Sequence, residues 1–384
     1  MSSKLPFRFG EVVHELGFIN RDEERKHLKQ LFSQSLNVTL LSPRRIGKSS
    51  LIRKATGEWV EESDQNKIIY IDLYQYQTER EFYDDYLNQV TRALKSKTDE
   101  VMQMLRDFFK HVRPAVQMDQ HGNTEFTITS KGPLEEPDKR EILDLPFKIA
   151  EKKNVKLVVC LDEFQVCDRF NDSVGFQRLL RSVWKHHTSV SYCLSGSKMH
   201  MMEAFFSDKS LPFYRFGELI YLQNIDVRYW IPYILEAFDS TEKEISEKMV
   251  IEMADRLQGH PHYMQHLSWI LWMDNDQVSE LSQIDDGFKR LIAQNSLLFE
   301  REVDHLTNHQ LNVLRAVANG EKSLSSAEVL NRYSIPTSAH VYSALQKLVT
   351  WDLVRVPEKK TGEKYRLTDP LMANWIRNTF PVKK

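Results

Sequence analysis

A chain of 384 residues that is 41% hydrophobic and 28% charged is long enough for two or three domains, each with its own core. Thirteen glycines, roughly 3% against a usual ~7%, exclude collagen-like and glycine-rich repeats and favour helices joined by short loops. Fifty-two basic against 54 acidic residues leave a net charge of −2, so the chain as a whole is neither a polycation nor an acidic tail, and no apolar run approaches the ~18 residues of a membrane span.

The opening MSSKLPFRFGEVVHELGF lacks the apolar core and small-residue cleavage site of a signal peptide, so a cytoplasmic location is expected. FINRDEE at 18–24 reads as a helix start capped by Asn20. NVTLL at 37–41 is a short apolar run; SPRRIGKSS follows it, and SLIRKATGEWVEE then reads as a helix. KIIYIDL (67–73) is the next strand. Residues 79–112 have helical spacing, with Phe82, Tyr86, Leu87, Val90 and Leu94 on one face. The pattern breaks down over 113–138, where the alternating TEFTITS reads as a hairpin strand. A helix over 139–153 precedes KLVVCLDEF, the most apolar strand of the chain. Residues 173–187 read as a helix, SVSYCLSGS as a strand and ELIYLQNI (218–225) as a fifth.

Strands alternating with helices specify an α/β domain with a mainly parallel sheet. Its runs of Val, Ile and Leu are those of strands covered on both faces. From 226 to 304 the pattern is wholly helical. The segment 305–384 reads as three helices (308–318, 325–333 and 337–350) and two strands around Thr361-Gly362, a winged helix-turn-helix pattern. The expected domains are therefore 1–225, with an insertion at about 95–145, then 226–304 and 305–384.

Charge is unevenly spread over these parts. Residues 305–384 carry 12 basic and 6 acidic residues, net +6, while the remaining 304 carry 40 and 48, net −8. A basic end on an acidic body points to a nucleic-acid or acidic partner for that end alone. Cys160, Cys167 and Cys193 read as small core residues rather than disulfide partners. No four-ligand zinc spacing is present, and His305 and His309 enclose no glutamate, so no structural metal is expected.

The strongest chemical signal lies in residues 42–50, between a strand and a helix. A phosphate loop needs backbone N–H groups converging on the phosphates, a glycine where a side chain would collide, a lysine for charge and a hydroxyl for Mg2+. Gly47, Lys48 and Ser49 meet the last three demands, and Pro43, Arg44, Arg45, Ile46 and Ser50 complete the loop and helix start. Ser42 stands where the usual pattern has its first glycine. Arg44 and Arg45 either contact phosphate or turn outward to pair with acids.

The second signal is the acidic pair ending LVVCLDEF. Asp162 there can hold the Mg2+ shell, and Glu163 can polarise the attacking water. Third, Ser195-Gly196-Ser197 closes the strand expected between the loop strand and the acidic strand. Ser195 or Ser197 then reports the γ-phosphate, or the tripeptide is a plain turn.

FINRDEE, LSPRRIGKSSLI (41–52), VVCLDEFQ (158–165), SGSKMHMM (195–202), PFYRFGELIYL (212–222), GHPHYMQHL (259–267) and YRLTDPLMANWI (365–376) together resemble the STAND branch of AAA+ ATPases, relatives of origin-initiator ATPases. The resemblance spans essentially the whole chain in the right order. It implies a P-loop NTPase (AAA+/ASCE) core, a helical lid and a winged helix, with ATP and Mg2+ bound between core and lid. It places Phe18, Ile19 and Arg21 near the adenine, and aims Arg215 at the γ-phosphate of its own or a neighbouring subunit. His262 or His260 of the lid would sense the nucleotide, with a ring charge set by small changes near neutral pH. The box lacks the usual sensor arginine.

Slow hydrolysis would make such a chain a nucleotide-dependent switch, with Lys48, Glu163 and Arg215 as the catalytic set and Ser49 and Asp162 on the metal. The winged helix suits double-stranded DNA or a protein partner, and oligomerisation is compatible with Arg215 acting across subunits. The alternative is a DNA-binding or protein-docking module, regulatory or defence-related, in which ATP is structural.

Overall fold

The computed structural model describes residues 5–11, 18–93, 98–118, 124–128, 133–356 and 365–382. They divide into two compact units, one of residues 21–42 and 48–222, the other of 1–20, 43–47 and 223–384.

The first unit runs α1 (Asp22–Ser33), β1 (Val38–Leu41), α2 (Lys48–Glu61), β2 (Asn66–Asp72), α3 (Glu79–Arg92), α4 (Thr98–Phe108), β3 (Pro114–Met118), β4 (Thr124–Ile128), α5 (Glu136–Lys153), β5 (Lys156–Asp162), α6 (Ser173–Trp184), β6 (Val190–Gly196), α7 (Met199–Ser207) and β7 (Glu218–Tyr221). Five strands form one parallel sheet in the order β2-β5-β6-β1-β7. All of β6, and all of β5 but Lys156, is buried, as the unbroken apolar runs require. Parallel pairing brings the carboxyl ends of all five strands to one edge, where ligands of open α/β sheets bind. At that edge Asp72 is in register with Asp162, and Leu41 with Gly196.

The 79–112 stretch forms two helices rather than one. Thr98, Asp99 and Glu100 begin a new helix with acids in its first turn, where they favour the helix dipole. Leu94 lies outside the described residues. The insertion carries α4 and an antiparallel β3–β4 hairpin separate from the main sheet. Asn20 does not cap α1: it has φ 57°, Arg21 follows at φ 74°, and no side chain caps the helix, which instead opens on Asp22, Glu23 and Glu24.

The second unit contains α8 (Val227–Asp239), β8 (Glu244–Ile245), α9 (Glu247–Leu257), α10 (Pro261–Asp274), β9 (Gln277–Val278), α11 (Leu281–Val303), α12 (Asn308–Ala318), α13 (Ala327–Arg332), α14 (Ser338–Thr350), β10 (Val354–Arg355), β11 (Arg366–Leu367) and α15 (Pro370–Thr379). One apolar core runs through it, from Phe7 and Trp230 to Trp375 and Ile376. The α9–α10 corner is tied down by Ile225 N–H and Trp230 Nε1–H, each donating to the Gly259 carbonyl at 3.2 Å. Two features depart from the sequence reading. A two-residue parallel bridge, β8–β9, interrupts the expected all-helical stretch. A fourth helix, α15, follows the wing: Pro370 starts it at N1, and Asp369 accepts from the Leu371 and Met372 N–H groups at 2.8 and 3.0 Å. Among the described residues no helix is long and apolar enough to cross a membrane.

Candidate functional site

Gly47 has φ +92°, a conformation that residues with a Cβ rarely adopt, and it turns the chain directly into α2. Lys48 and Ser49 thus occupy the first turn of that helix, where unpaired N–H groups and the dipole favour an anion. Lys48 is only 6% exposed, and its Nζ lies 3.5 Å from both Asp162 Oδ1 and Glu163 Oε1. Ile46 and Ser50 are buried, Pro43 is half-buried, and Ser42 is fully buried with no hydrogen-bond partner for its hydroxyl among the described residues.

Asp162 is the hub. Its Oδ2 accepts from Ser49 Oγ and Tyr70 Oη, both at 2.6 Å, and its Oδ1 accepts from Ser195 Oγ at 2.6 Å and from the Glu163 N–H at 3.0 Å. Burial pushes the Asp162 carboxyl up, but the Lys48 charge and the bonds from Ser195, Ser49 and Tyr70 outweigh it and hold the group below its usual range. It is therefore ionised at neutral pH. Burial, and then the Asp162 charge, raise the Tyr70 phenol, so it remains a donor. The Arg53 guanidinium lies 4.1 Å from the Tyr70 ring centre. At the end of β2, burial raises the Asp72 carboxyl, and the charges of Asp162 and Glu163 add to the rise.

Ser49 and Asp162 present adjacent oxygens, the donor type that Mg2+ takes, so this pair fits the metal. Ser195 and Ser197 bond the two acids, Ser195 on Asp162 and Ser197 Oγ on Glu163 Oε2 at 2.8 Å. Tyr70 escaped the sequence reading. Its only signal is a polar group two residues before Asp72 in an apolar strand, and its role depends on the β2–β5 register.

The other expected residues are distributed as follows. Phe18 is half-buried, Ile19 is in the core of the second unit, and Arg21, 6% exposed, pairs with Glu24 at 2.9 Å. Arg215 is exposed at φ 51°, its guanidinium 5.2 Å from the Tyr214 ring centre. Arg44 and Arg45 are both exposed. Arg45 points Nη1 at His262 Nε2, 3.4 Å away, and forms no ion pair with an acid among the described residues. Burial first, and the Arg45 charge with it, push His262 and His260 down to about 3. Both rings are therefore neutral at pH 7, unlike the expected switch near neutral pH. His262 meets Arg45 through a ring lone pair, so its N–H is on Nδ1. His260 is buried, and its Nδ1 has no hydrogen-bond partner among the described residues.

A loop with its lysine and serine at a helix start, an acid pair on the next strand but one, and this strand order decide the class. The first unit has the fold of a P-loop NTPase. The model of the KAP family P-loop domain matches residues 46–173, and that of a probable winged helix domain matches 297–378. Among solved structures, the chain resembles the Walker-type ATPase PABY2304 of Pyrococcus abyssi, at 19% identity and TM-score 0.65, over 95% of this chain and 97% of that one. It also resembles the Aeropyrum pernix ORC2 protein in ADPNP–ADP complexes, at 15% identity and TM-score 0.58, over 97% and 98%. A search of curated proteins finds no match. A P-loop NTPase domain and a C-terminal winged helix are thus combined in one chain, as the sequence resemblance implies.

Proposed function

We propose that this P-loop NTPase is an ATP-dependent switch of the STAND type within AAA+ ATPases, with slow hydrolysis resetting its state. The observation that supports this best is the convergence of Lys48, Ser49, Asp162, Glu163 and Ser195 at the carboxyl edge of the sheet. In this reading the loop from Pro43 to Ser50 wraps the phosphates and Lys48 holds their charge; Ser49 and Asp162 would hold Mg2+, which would supply further positive charge there. Glu163 takes a proton from the attacking water. The resemblance assigns Phe18, Ile19 and Arg21 to the base, Arg215 to the γ-phosphate and His262 or His260 to sensing the nucleotide. The ADPNP and ADP complexes named for the ORC2 neighbour agree with nucleotide binding.

The test is calorimetry with ATP and Mg2+, followed by phosphate release from the purified chain. Expected is measurable binding with turnover below the ~10 s⁻¹ common among enzymes. Failure to bind ATP would remove the reading altogether.

The winged helix is proposed to meet double-stranded DNA. Its third helix, α14, exposes Ser338, Tyr342, Ser343, Gln346 and Lys347, a face rich in hydrogen-bonding groups and poor in charge. The wing lysines Lys359, Lys360 and Lys364 lie outside the described residues. Replacing these three lysines with alanine should weaken binding to all duplex sequences and flatten the salt dependence by about 0.9 in log–log slope per lost phosphate contact. An unchanged slope with intact affinity would make the wing a protein-docking surface.

A further inference from the structure

Glu163 is an uncommon residue to find at φ +53° and ψ +43°. A side chain there persists when its surroundings fix it from several directions. Three groups do so. Lys48 stands 3.5 Å from Oε1, Ser197 Oγ donates to Oε2 at 2.8 Å, and Gln165 Nε2 donates to the same Oε2. Gln165 is itself 6% exposed, and no donor among the described residues meets its Oε1.

The amide orientation is dictated by chemistry. A carboxylate only accepts, so Nε2 must face Glu163 and Oε1 must face away. On that far side is Gly196, the residue between Ser195 and Ser197. A Cβ at Gly196 would collide with Gln165 Oε1, the end of a flexible side chain, and with Sδ and Cγ of the buried Met202. The missing side chain therefore makes the space in which the amide lies. One tripeptide, Ser195-Gly196-Ser197, thus fixes Asp162 through its first residue, Glu163 through its last, and Gln165 by the absence of a side chain at its middle.

We propose that Gln165, seated against Gly196, is a positioning residue that holds the Glu163 carboxylate where it takes the proton of the attacking water. The proposal rests on the ATPase reading. In the step it serves, the water oxygen forms a bond to the γ-phosphorus while the bond from phosphorus to the β–γ bridging oxygen breaks. The electron pair of that bond leaves with ADP, and the water proton passes to Glu163. Gln165 keeps the accepting oxygen in place and takes no part in nucleotide binding.

The test uses the full chain with ATP and Mg2+, and reads kcat, KM and the calorimetric affinity for the analogue ADPNP. Gln165→Met removes the donor at similar length. Gly196→Ala leaves the amide intact and pushes it off its seat. Expected is a fall in kcat on the order of tenfold to a hundredfold in both variants, the scale at which small misplacements act, with KM and ADPNP affinity close to the parent's. Thermal melts establish which variants are folded, and either folded one decides. A folded variant turning over at the parent's rate or faster would overturn the proposal, as would kcat and affinity falling together. A parent that binds no ADPNP would overturn the site itself. A parent that hydrolyses ATP beside an unimpaired Gln165→Met would overturn only the role of Gln165.

Discussion

Lys48→Ala should lower ATP affinity by roughly 100-fold or more, beyond detection in ordinary calorimetry. A hydrogen bond to a charged group is worth ~1.5–3 kcal/mol, and every ~1.4 kcal/mol is tenfold in affinity, so one lost phosphate contact already costs about 10- to 100-fold. The structure adds a second effect in the same direction. Lys48 is the cation facing both Asp162 and Glu163, at 3.5 Å from each. Without it, the incoming phosphates meet two carboxylates instead of a compensated triad. The fold should survive, because Asp162 keeps donors from Ser49, Tyr70, Ser195 and the Glu163 backbone. The checks are calorimetry and a thermal melt on the same preparation. A folded variant with the parent's affinity would remove this loop from nucleotide binding.

Glu163→Gln should retain ATP affinity and lose hydrolysis, by ~10²- to 10⁴-fold, the range assigned to a positioned general base. The amide has the length of the acid, and its oxygen still accepts from Ser197 and Gln165, which holds the side chain on that side, while its NH2 gives up the contact with the Lys48 ammonium. What disappears is the capacity to take a proton. Phosphate release under saturating ATP, beside a binding isotherm, separates the two properties. Turnover at the parent's rate would place the base elsewhere, and Asp72, whose carboxyl burial already raises, would be the next to examine.

Residues whose roles follow from local sequence were readable without coordinates. Lys48 and Ser49 announce themselves because strand, loop and helix start are contiguous. Asp162 and Glu163 do so because they end the most apolar strand. The winged helix was legible in three of its helices and not the fourth, since Pro370 looks like a terminator when its neighbours are unknown, yet proline at N1 begins a helix. Tyr70 and Gln165 were out of reach for a different reason. The first acts through a strand register, Tyr70 opposite Cys160 and Asp72 opposite Asp162. The second acts through a side chain missing from another strand. Ser195 and Ser197 were picked out by position, but only the geometry assigned one to each acid. His260 and His262 stand out by their turn, while the burial that lowers both rings is visible only in the fold.

The place of β1 in the sheet bears on how the chain is made. Val38 pairs with Cys193 on one side and Glu218 on the other, so the strand that launches the phosphate loop has no sheet partner among the residues just before or after it. During synthesis at ~5–20 residues per second, the about 180 residues between β1 and the end of β7 take roughly ten to forty seconds to appear. For that interval VTLL is an apolar segment with two open backbone edges, the kind of segment that invites pairing with another nascent chain. Strand insertion between late-arriving neighbours is also slow, because each contact must close a long loop first. The strand that leads into the phosphate loop is thus encoded early and given its sheet partners late.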